Sequence, residues 1–124
     1  MKDRLRVLVV EDELAISTII EIIVEDTAPS IVFVHTSVES AEKVIQEQDF
    51  DLALLDVNVT DGQTYKIAGM LRRNEVPISF VSSVPKQELP EELRDSPFIS
   101  KPFQQADIRD AVLKAKRTKD GRQT

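Results

Sequence analysis

Apolar runs alternate with helical patterns along the whole chain. The runs lie at residues 4–10, 31–34, 51–55, 77–81 and 98–100. Between and after them, apolar residues recur at helical spacing over about 14–25, 36–48, 64–73 and 104–117. This alternation is typical of a parallel sheet with helices on both faces. We therefore predict a single α/β domain, a doubly wound sheet of five parallel strands joined by right-handed crossovers.

Three features refine these elements. In the first helix Leu14, Ile16 and Ile19 recur at helical spacing with the apolar residues that follow. Thr36 and Glu39 have the spacing of a capping box, which predicts the start of the second helix. Asp61-Gly62 marks a turn after the third strand.

The stretch between the fourth and fifth strands breaks the pattern. Pro85, Pro90 and Pro97 interrupt residues 84–97, so at most one turn of helix fits, near 91–94. We predict a flavodoxin-like strand order 2-1-3-4-5 with the fourth helix short or absent. A segment without a regular helix is expected to be more mobile than the rest.

Polar residues follow four of the apolar runs. Glu11 and Asp12 end the first run, Asp56 the third, Ser82 the fourth, and Lys101 the fifth. The carboxyl ends of parallel strands share one edge of a sheet, and the first and third strands are neighbours in the predicted order. Asp12 should therefore lie beside Asp56, in a group suited to a divalent metal and a phosphoryl group.

Composition narrows the class of protein. A chain of 124 residues that is 41% hydrophobic and 31% charged is expected to be one soluble, globular domain. It contains no apolar run near the roughly 20 residues of a membrane span and no apparent secretory signal, so a cytoplasmic location is expected. The absence of cysteine excludes disulfides and thiolate metal sites. The net charge of −6 argues against nucleic acid as the main partner.

Basic residues nevertheless crowd the C-terminus. They are Lys114, Lys116, Arg117, Lys119 and Arg122. We interpret them as a cationic last helical turn followed by a solvated basic tail at about 118–124. A docking patch for an acidic partner is the alternative.

The ordered set of motifs resembles the receiver domain of the response regulators of bacterial two-component systems, over nearly the whole length, 1–124. The resemblance rests on Val9-Val10-Glu11-Asp12-Glu13, on Leu54-Leu55-Asp56-Val57-Asn58 with Asp61-Gly62, on Pro77-Ile78-Ser79-Phe80-Val81-Ser82-Ser83, and on Lys101-Pro102-Phe103. Any one of these motifs alone is weak, but together they are specific.

The resemblance implies a phosphorylation site. Asp56 matches the carboxylate that takes a phosphoryl group from a phosphohistidine. Asp12, Glu11, Asp56 and the backbone carbonyl of Asn58 match the groups that hold Mg²⁺, for which Mn²⁺ could substitute. No other cofactor is implied. Lys101 matches the lysine that contacts a phosphoryl oxygen.

The resemblance also implies a switch. Ser82 matches the hydroxyl that binds a second phosphoryl oxygen, and Ser83 the small residue that leaves room for it. Phe98 matches an aromatic that turns inward on activation, although it could equally be plain core. The Lys101-Pro102 peptide is typically cis in receivers. His35 is interpreted as a surface residue, not a phosphodonor.

One departure from ordinary receivers is large. The proline-broken stretch 84–97 is shorter than the usual fourth helix with its loops. This resembles a small subgroup of stand-alone receivers with a Pro-x-x-Phe-x-Thr-Gly-like motif, which Pro77, Phe80, Ser82 and Ser83 fit loosely.

The expected function is that of a phosphorylatable single-domain response regulator in a histidine–aspartate phosphorelay, not an enzyme acting on free substrates. Its partners would be a sensor histidine kinase or histidine phosphotransfer protein and an unknown output protein, with no nucleic acid and no membrane. A degenerate receiver that only binds proteins is the alternative. A haloacid-dehalogenase-like phosphatase would need an acid at position 58, which is Asn, and a flavodoxin-like nucleotide binder would need a phosphate loop after the first strand.

Overall fold

The computed structural model describes residues 4–122 as an α/β sandwich. Its strands are β1 (Leu5–Val10), β2 (Ser30–His35), β3 (Leu52–Leu55), β4 (Asn58–Val59), β5 (Gly62–Gln63), β6 (Ile78–Ser82) and β7 (Phe98–Ser100). Its helices are α1 (Leu14–Thr27), α2 (Val38–Glu47), α3 (Tyr65–Arg73) and α4 (Gln105–Arg122). Five strands form a parallel sheet in the order β2-β1-β3-β6-β7, which confirms the predicted topology. β4 and β5 form a small antiparallel hairpin.

Two apolar cores lie on opposite faces of this sheet. Successive side chains of a strand point to opposite faces, so β1 sends Leu8 and Val10 into the core under α2 and α3. Val7 and Val9 enter the other core, under α1 and α4. Burial on both faces explains why the central strands are continuously apolar rather than alternating. None of the helices within residues 4–122 is long and apolar enough to cross a membrane.

The connection between β6 and β7, residues 83–97, is described in full and contains no α-helix, as predicted. It has two single 3₁₀ turns, Lys86–Glu88 and Glu91–Leu93. Leu89 follows the first turn, and Leu93 ends the second. They are 0% and 4% exposed, so both side chains are buried in the core.

Arg72 of α3 also holds this connection. Its Nη1 donates to the Glu92 carbonyl at 3.0 Å, to Asp95 Oδ1 at 3.1 Å and to Ser96 Oγ at 3.2 Å. The connection is thus fixed to α3 as well as to the core, and its greater mobility stays a prediction.

The predicted cap of α2 was wrong. The helix begins at Val38, and its N-cap is Ser37, whose Oγ accepts the Ser40 amide at 3.1 Å. Thr36 is therefore one residue too early, and the Glu39 amide is bonded from elsewhere, by Asp61. A capping box and a neighbouring serine cap differ by one position in sequence, so spacing alone did not separate them.

One further boundary differs from prediction. α4 continues to Arg122 instead of ending near Arg117, and in this last part Lys119 Nζ pairs with Asp51 Oδ2 at 2.9 Å. The predicted basic tail is thus helical as far as Arg122, and residues 123–124 lie outside the described part. In α1 the apolar face is wider than the core needs, since Leu14 is 79% and Ile19 47% exposed.

Candidate functional site

The structure brings the three predicted acids together at the carboxyl edge of the sheet. Val10 and Leu55 end β1 and β3 at the same level, and the Asp56 amide donates to the Val10 carbonyl at 2.9 Å. Carboxylate oxygens of Glu11, Asp12 and Asp56 consequently lie within 4.8 Å of one another. This grouping follows from strand register, because each acid is the first or second residue after its strand.

Lys101, which follows the edge strand β7, completes the group from across β6. Its Nζ donates to Glu11 Oε1 at 2.7 Å and to Asp56 Oδ2 at 3.1 Å. Its backbone amide is fixed by the Ser82 carbonyl at 3.0 Å, and the Lys101–Pro102 peptide is cis, as predicted. The Lys101 side chain is only 15% exposed, so these charges meet where water screens them poorly.

The group carries an excess of negative charge. Burial raises the pKa of Glu11, as does repulsion by Asp56, although the hydrogen bonds from Lys101 and the Glu13 amide lower it. Burial alone would lower the pKa of Lys101, but its hydrogen bonds to Glu11 and Asp56 outweigh burial and raise it. Three carboxylates facing one ammonium form a set of oxygen donors suited to a hard divalent cation.

Asp56 is held from two sides. Its Oδ1 accepts the Val57 amide at 2.7 Å, and its backbone carbonyl accepts the Thr64 hydroxyl at 2.6 Å. Thr64 is fully buried, although the sequence pattern predicts only that a helix begins there. The bond spans eight positions, so no local pattern could have assigned Thr64 to the site.

The hairpin after Asp56 presents Asn58, which is exposed. The Thr64 amide donates to the Val57 carbonyl at 2.9 Å, and Asn58 is opposite Gln63 in the ladder. Antiparallel ladders alternate bonded and non-bonded pairs, so Asn58–Gln63 is a non-bonded pair. The Asn58 carbonyl therefore points away from Gln63 and lies outside the hydrogen bonds between the two strands of the hairpin.

Asp61 was also missed as a site residue. In the sequence, Asp61-Gly62 marks a turn and belongs to the receiver-like motifs, but it gives Asp61 no role; the structure confirms the turn with a φ of +142° at Gly62. Asp61 Oδ1 accepts the Val38 amide at 2.6 Å, and Oδ2 accepts the Glu39 amide at 3.1 Å. These two hydrogen bonds lower the pKa of Asp61. The Asp-Gly pair alone did not show that the acid would reach another helix.

Ser82 lies beside this group in a buried position, with 1% exposure, while Ser83 is exposed. Ser82 Oγ accepts the Val84 amide at 3.2 Å. Within residues 4–122 its hydroxyl donates no hydrogen bond, so its proton remains available to a new acceptor.

Phe98 and His35 lie outside the acidic group. Phe98 is half-buried, and its ring centroid is 6.4 Å from that of Phe80 in the core. His35 ends the edge strand β2 and is half-buried near the surface, with Nδ1 3.1 Å from Ser40 Oγ. Burial lowers the pKa of His35.

Comparison with known proteins gives consistent results. The family model for the response regulator receiver domain matches residues 7–113. No curated protein sequence matches significantly. Among solved structures, SdrG from Sphingomonas melonis Fr1 is similar, with 27% identity and a TM-score of 0.74 over 94% of this chain and 99% of that one.

Two other receiver structures share the fold. The receiver domain of PhyR from Erythrobacter litoralis is 24% identical, with a TM-score of 0.75 over 90% of this chain and 89% of that one. The receiver domain of the Francisella response regulator 1452 is 17% identical, with a TM-score of 0.78 over 94% and 99%. Since the family model covers most of the sequence and the fold agrees, the chain belongs to the response regulator receiver domain family of two-component signalling.

Proposed function

We propose that this receiver domain is phosphorylated on Asp56 by a histidine kinase or a histidine phosphotransfer protein and signals by a conformational change. The observation that carries this proposal is the position of Lys101, whose Nζ bridges Glu11 and Asp56 within the three-acid cluster. In a receiver that is not phosphorylated and only binds proteins, such a cluster would lower stability without serving a function. The reason is that neighbouring carboxylates repel one another unless they bind a cation.

Asp56 acts as the nucleophile. One of its carboxylate oxygens forms a bond to phosphorus while the bond from phosphorus to the donor's imidazole nitrogen breaks, which gives an acyl phosphate and a free histidine. The Val57 amide and Lys101 each bind one oxygen of Asp56, so the side chain is oriented before the donor arrives. Lys101 then neutralises charge on the transferred group.

Glu11, Asp12 and Asp56, with the Asn58 carbonyl, would hold Mg²⁺. Their fit is supported by the clustered carboxylate oxygens and by the Asn58 carbonyl that the hairpin leaves unbonded. The bound ion supplies positive charge that offsets the negative charge of the phosphoryl oxygens. Because Glu11 is 1% exposed and bonded to Lys101, its main part is to fix the lysine and the cation relative to each other.

Ser82 and Phe98 form the proposed switch. The Ser82 hydroxyl proton would bond a phosphoryl oxygen on Asp56, at the expense of the Oγ contact with the Val84 amide. Val84 begins the connection to β7, so the change is passed to residues 84–97. Phe98 would turn inward towards Phe80 as the space beside Ser82 changes.

The phosphodonor is proposed to dock on α1. Leu14, Ile19 and Ile22 are 79%, 47% and 53% exposed, and we call them the α1 apolar patch. A cavity of about 450 Å³ joins this patch to the site, and it is lined by Ile16, Ile19, Lys101, Pro102 and Phe103. A donor that must bring its histidine to Asp56 can bury this patch at the same time.

Phosphorylation from a small-molecule donor tests the nucleophile. Incubation with acetyl phosphate and Mg²⁺ should add one phosphoryl group to the wild type, as seen by intact-protein mass spectrometry, and none to Asp56→Asn. A wild type that stays unlabelled, or an Asp56→Asn variant that is labelled equally, would show that Asp56 is not the acceptor.

The docking surface needs a different donor. Ile22→Glu should slow transfer from a phosphorylated histidine kinase about tenfold or more, since a central apolar contact contributes above about 1 kcal/mol. Its labelling by acetyl phosphate should equal that of the wild type, because no protein surface is needed. Equal slowing with both donors would place the defect in the site and not in docking.

A further inference from the structure

The hairpin that carries Asn58 is tied to a helix that takes no direct part in the proposed chemistry. Asp61, in the turn of this hairpin, binds the amides of Val38 and Glu39 at 2.6 and 3.1 Å. These amides belong to the first turn of α2, more than 20 positions earlier in the chain. The contact therefore fixes the tip of the hairpin against a preformed element.

α2 already has a cap of its own. Ser37 Oγ accepts the Ser40 amide, which is the bond that an N-cap normally supplies. The Val38 and Glu39 amides lie where water can reach them, so the helix would not need a protein partner there. The geometric consequence of the Asp61 contact falls mainly on the hairpin.

The base of the hairpin is fixed as well. The Thr64 hydroxyl binds the Asp56 carbonyl at 2.6 Å, and the Thr64 amide binds the Val57 carbonyl at 2.9 Å. Asn58 lies between this buried base and the Asp61 tip. Its carbonyl is the group that the alternation of the ladder leaves without a partner in the hairpin.

We propose that Asp61 is a positioning residue for the metal site, which holds the hairpin so that the Asn58 carbonyl stays beside Asp56. This inference rests on the proposed function and deepens it. A ligand oxygen that is already in place loses less freedom when an ion binds. Groups that orient metal ligands in this way typically contribute about 10- to 100-fold to metal affinity.

Calorimetric titration of the full chain with Mg²⁺ tests the inference. Asp61→Ala should bind Mg²⁺ about tenfold more weakly than the wild type, and Asp61→Asn, which keeps one acceptor oxygen, should be intermediate. Amide hydrogen exchange at residues 58–63 should be faster in Asp61→Ala. The Asn variant also serves if the Ala variant folds poorly.

Two matched controls isolate the contact. Ser37→Ala removes the other cap of α2 and lowers the melting temperature, but it should leave Mg²⁺ affinity unchanged. Glu39→Gln removes one negative charge at the same helix end while keeping its amide, and it too should leave the affinity unchanged.

The outcomes are distinguishable. If Asp61→Ala loses no more affinity than Ser37→Ala, Asp61 is only a helix cap and the inference fails. If Glu39→Gln loses as much as Asp61→Ala, the effect is general charge and the inference also fails. A wild type that gives no Mg²⁺ binding overturns the proposed metal site itself, and the wild-type titration alone reveals that.

Discussion

At each end of the sheet a lysine is bound to a half-buried carboxylate, within a cluster of polar residues. The two clusters differ in their balance of positive and negative charge. We call Glu11, Asp12, Asp56 and Lys101 the carboxyl-edge cluster. The amino-edge cluster consists of Arg6, Asp51 and Lys119. In it Asp51 Oδ2 accepts the Arg6 amide at 2.8 Å and Lys119 Nζ at 2.9 Å.

The amino-edge cluster is satisfied within the protein. The Asp51 amide also donates to the Arg6 carbonyl at 2.8 Å, so Asp51 joins β1, the start of β3 and α4. The Arg6 guanidinium lies 4.8 Å above the Phe33 ring and bonds the Asp49 carbonyl. No carboxylate is in excess there, so this cluster needs no ligand to balance its negative charge.

The carboxyl-edge cluster is not satisfied in this way, because three acids share one lysine. The pKa of Glu11 is raised by its burial and by Asp56, despite the lysine. Similar types of residue thus lead to opposite outcomes. A cluster with excess charge costs stability until a ligand supplies the missing charge, and this distinguishes a functional site from a structural one.

The largest expected effect comes from replacing the lysine of each cluster with methionine. Lys101→Met should slow phosphorylation by acetyl phosphate about 10²- to 10³-fold, the cost of losing one group that binds developing charge. Lys119→Met should leave that rate unchanged and lower the melting temperature. Phosphorylation rates by mass spectrometry and thermal melts by circular dichroism measure both. Equal rates in the two variants would erase the distinction between the clusters.

An intermediate effect is expected from removing one acid at each end. Without Mg²⁺, Asp51→Ala should lower the free energy of unfolding by about 1–3 kcal/mol, since the Arg6 amide and Lys119 lose their acceptor. Asp12→Ala should raise it by about 0.5–2 kcal/mol, because repulsion is relieved.

Mg²⁺ provides the control for this pair. It should raise the stability of the wild type and of Asp51→Ala, and raise that of Asp12→Ala much less. Urea unfolding with and without Mg²⁺ measures this. Asp12→Ala becoming less stable than the wild type in the absence of Mg²⁺ would contradict the idea of excess charge.

The smallest effect is a pH dependence that separates Asp61 from the carboxyl-edge acids. The Val38 and Glu39 amides hold the pKa of Asp61 below its ordinary value of 3.8. A depressed folded-state pKa contributes stability above the unfolded value, and this is lost as pH falls through the folded value. The melting temperature of the wild type should therefore exceed that of Asp61→Asn at neutral pH, and the difference should shrink below pH 3.8. A difference that grows on acidification would reverse the assignment.

Sequence patterns predicted the sheet and the grouping of the acids with Lys101, because register places the ends of parallel strands at one edge. They did not predict contacts that depend on how separate elements pack. Asp61 reaches Val38 across 23 positions, and Lys119 reaches Asp51 across 68. Local spacing also gave Thr36 for Ser37, since both are good caps and only packing selects between them.

The missing helix between β6 and β7 has a consequence for the unfolded chain. Pro85 and Pro90 precede the two 3₁₀ turns with φ of −61° and −54°, close to the value that a proline ring imposes, so the rings fit without distortion. Each ring removes conformations from the unfolded ensemble and contributes about 0.4–1 kcal/mol to stability in this way. The two prolines thus stabilise the connection between Ser82 and β7 by lowering the entropy of the unfolded chain. This supplies part of the stability that a regular helix would have supplied through hydrogen bonds.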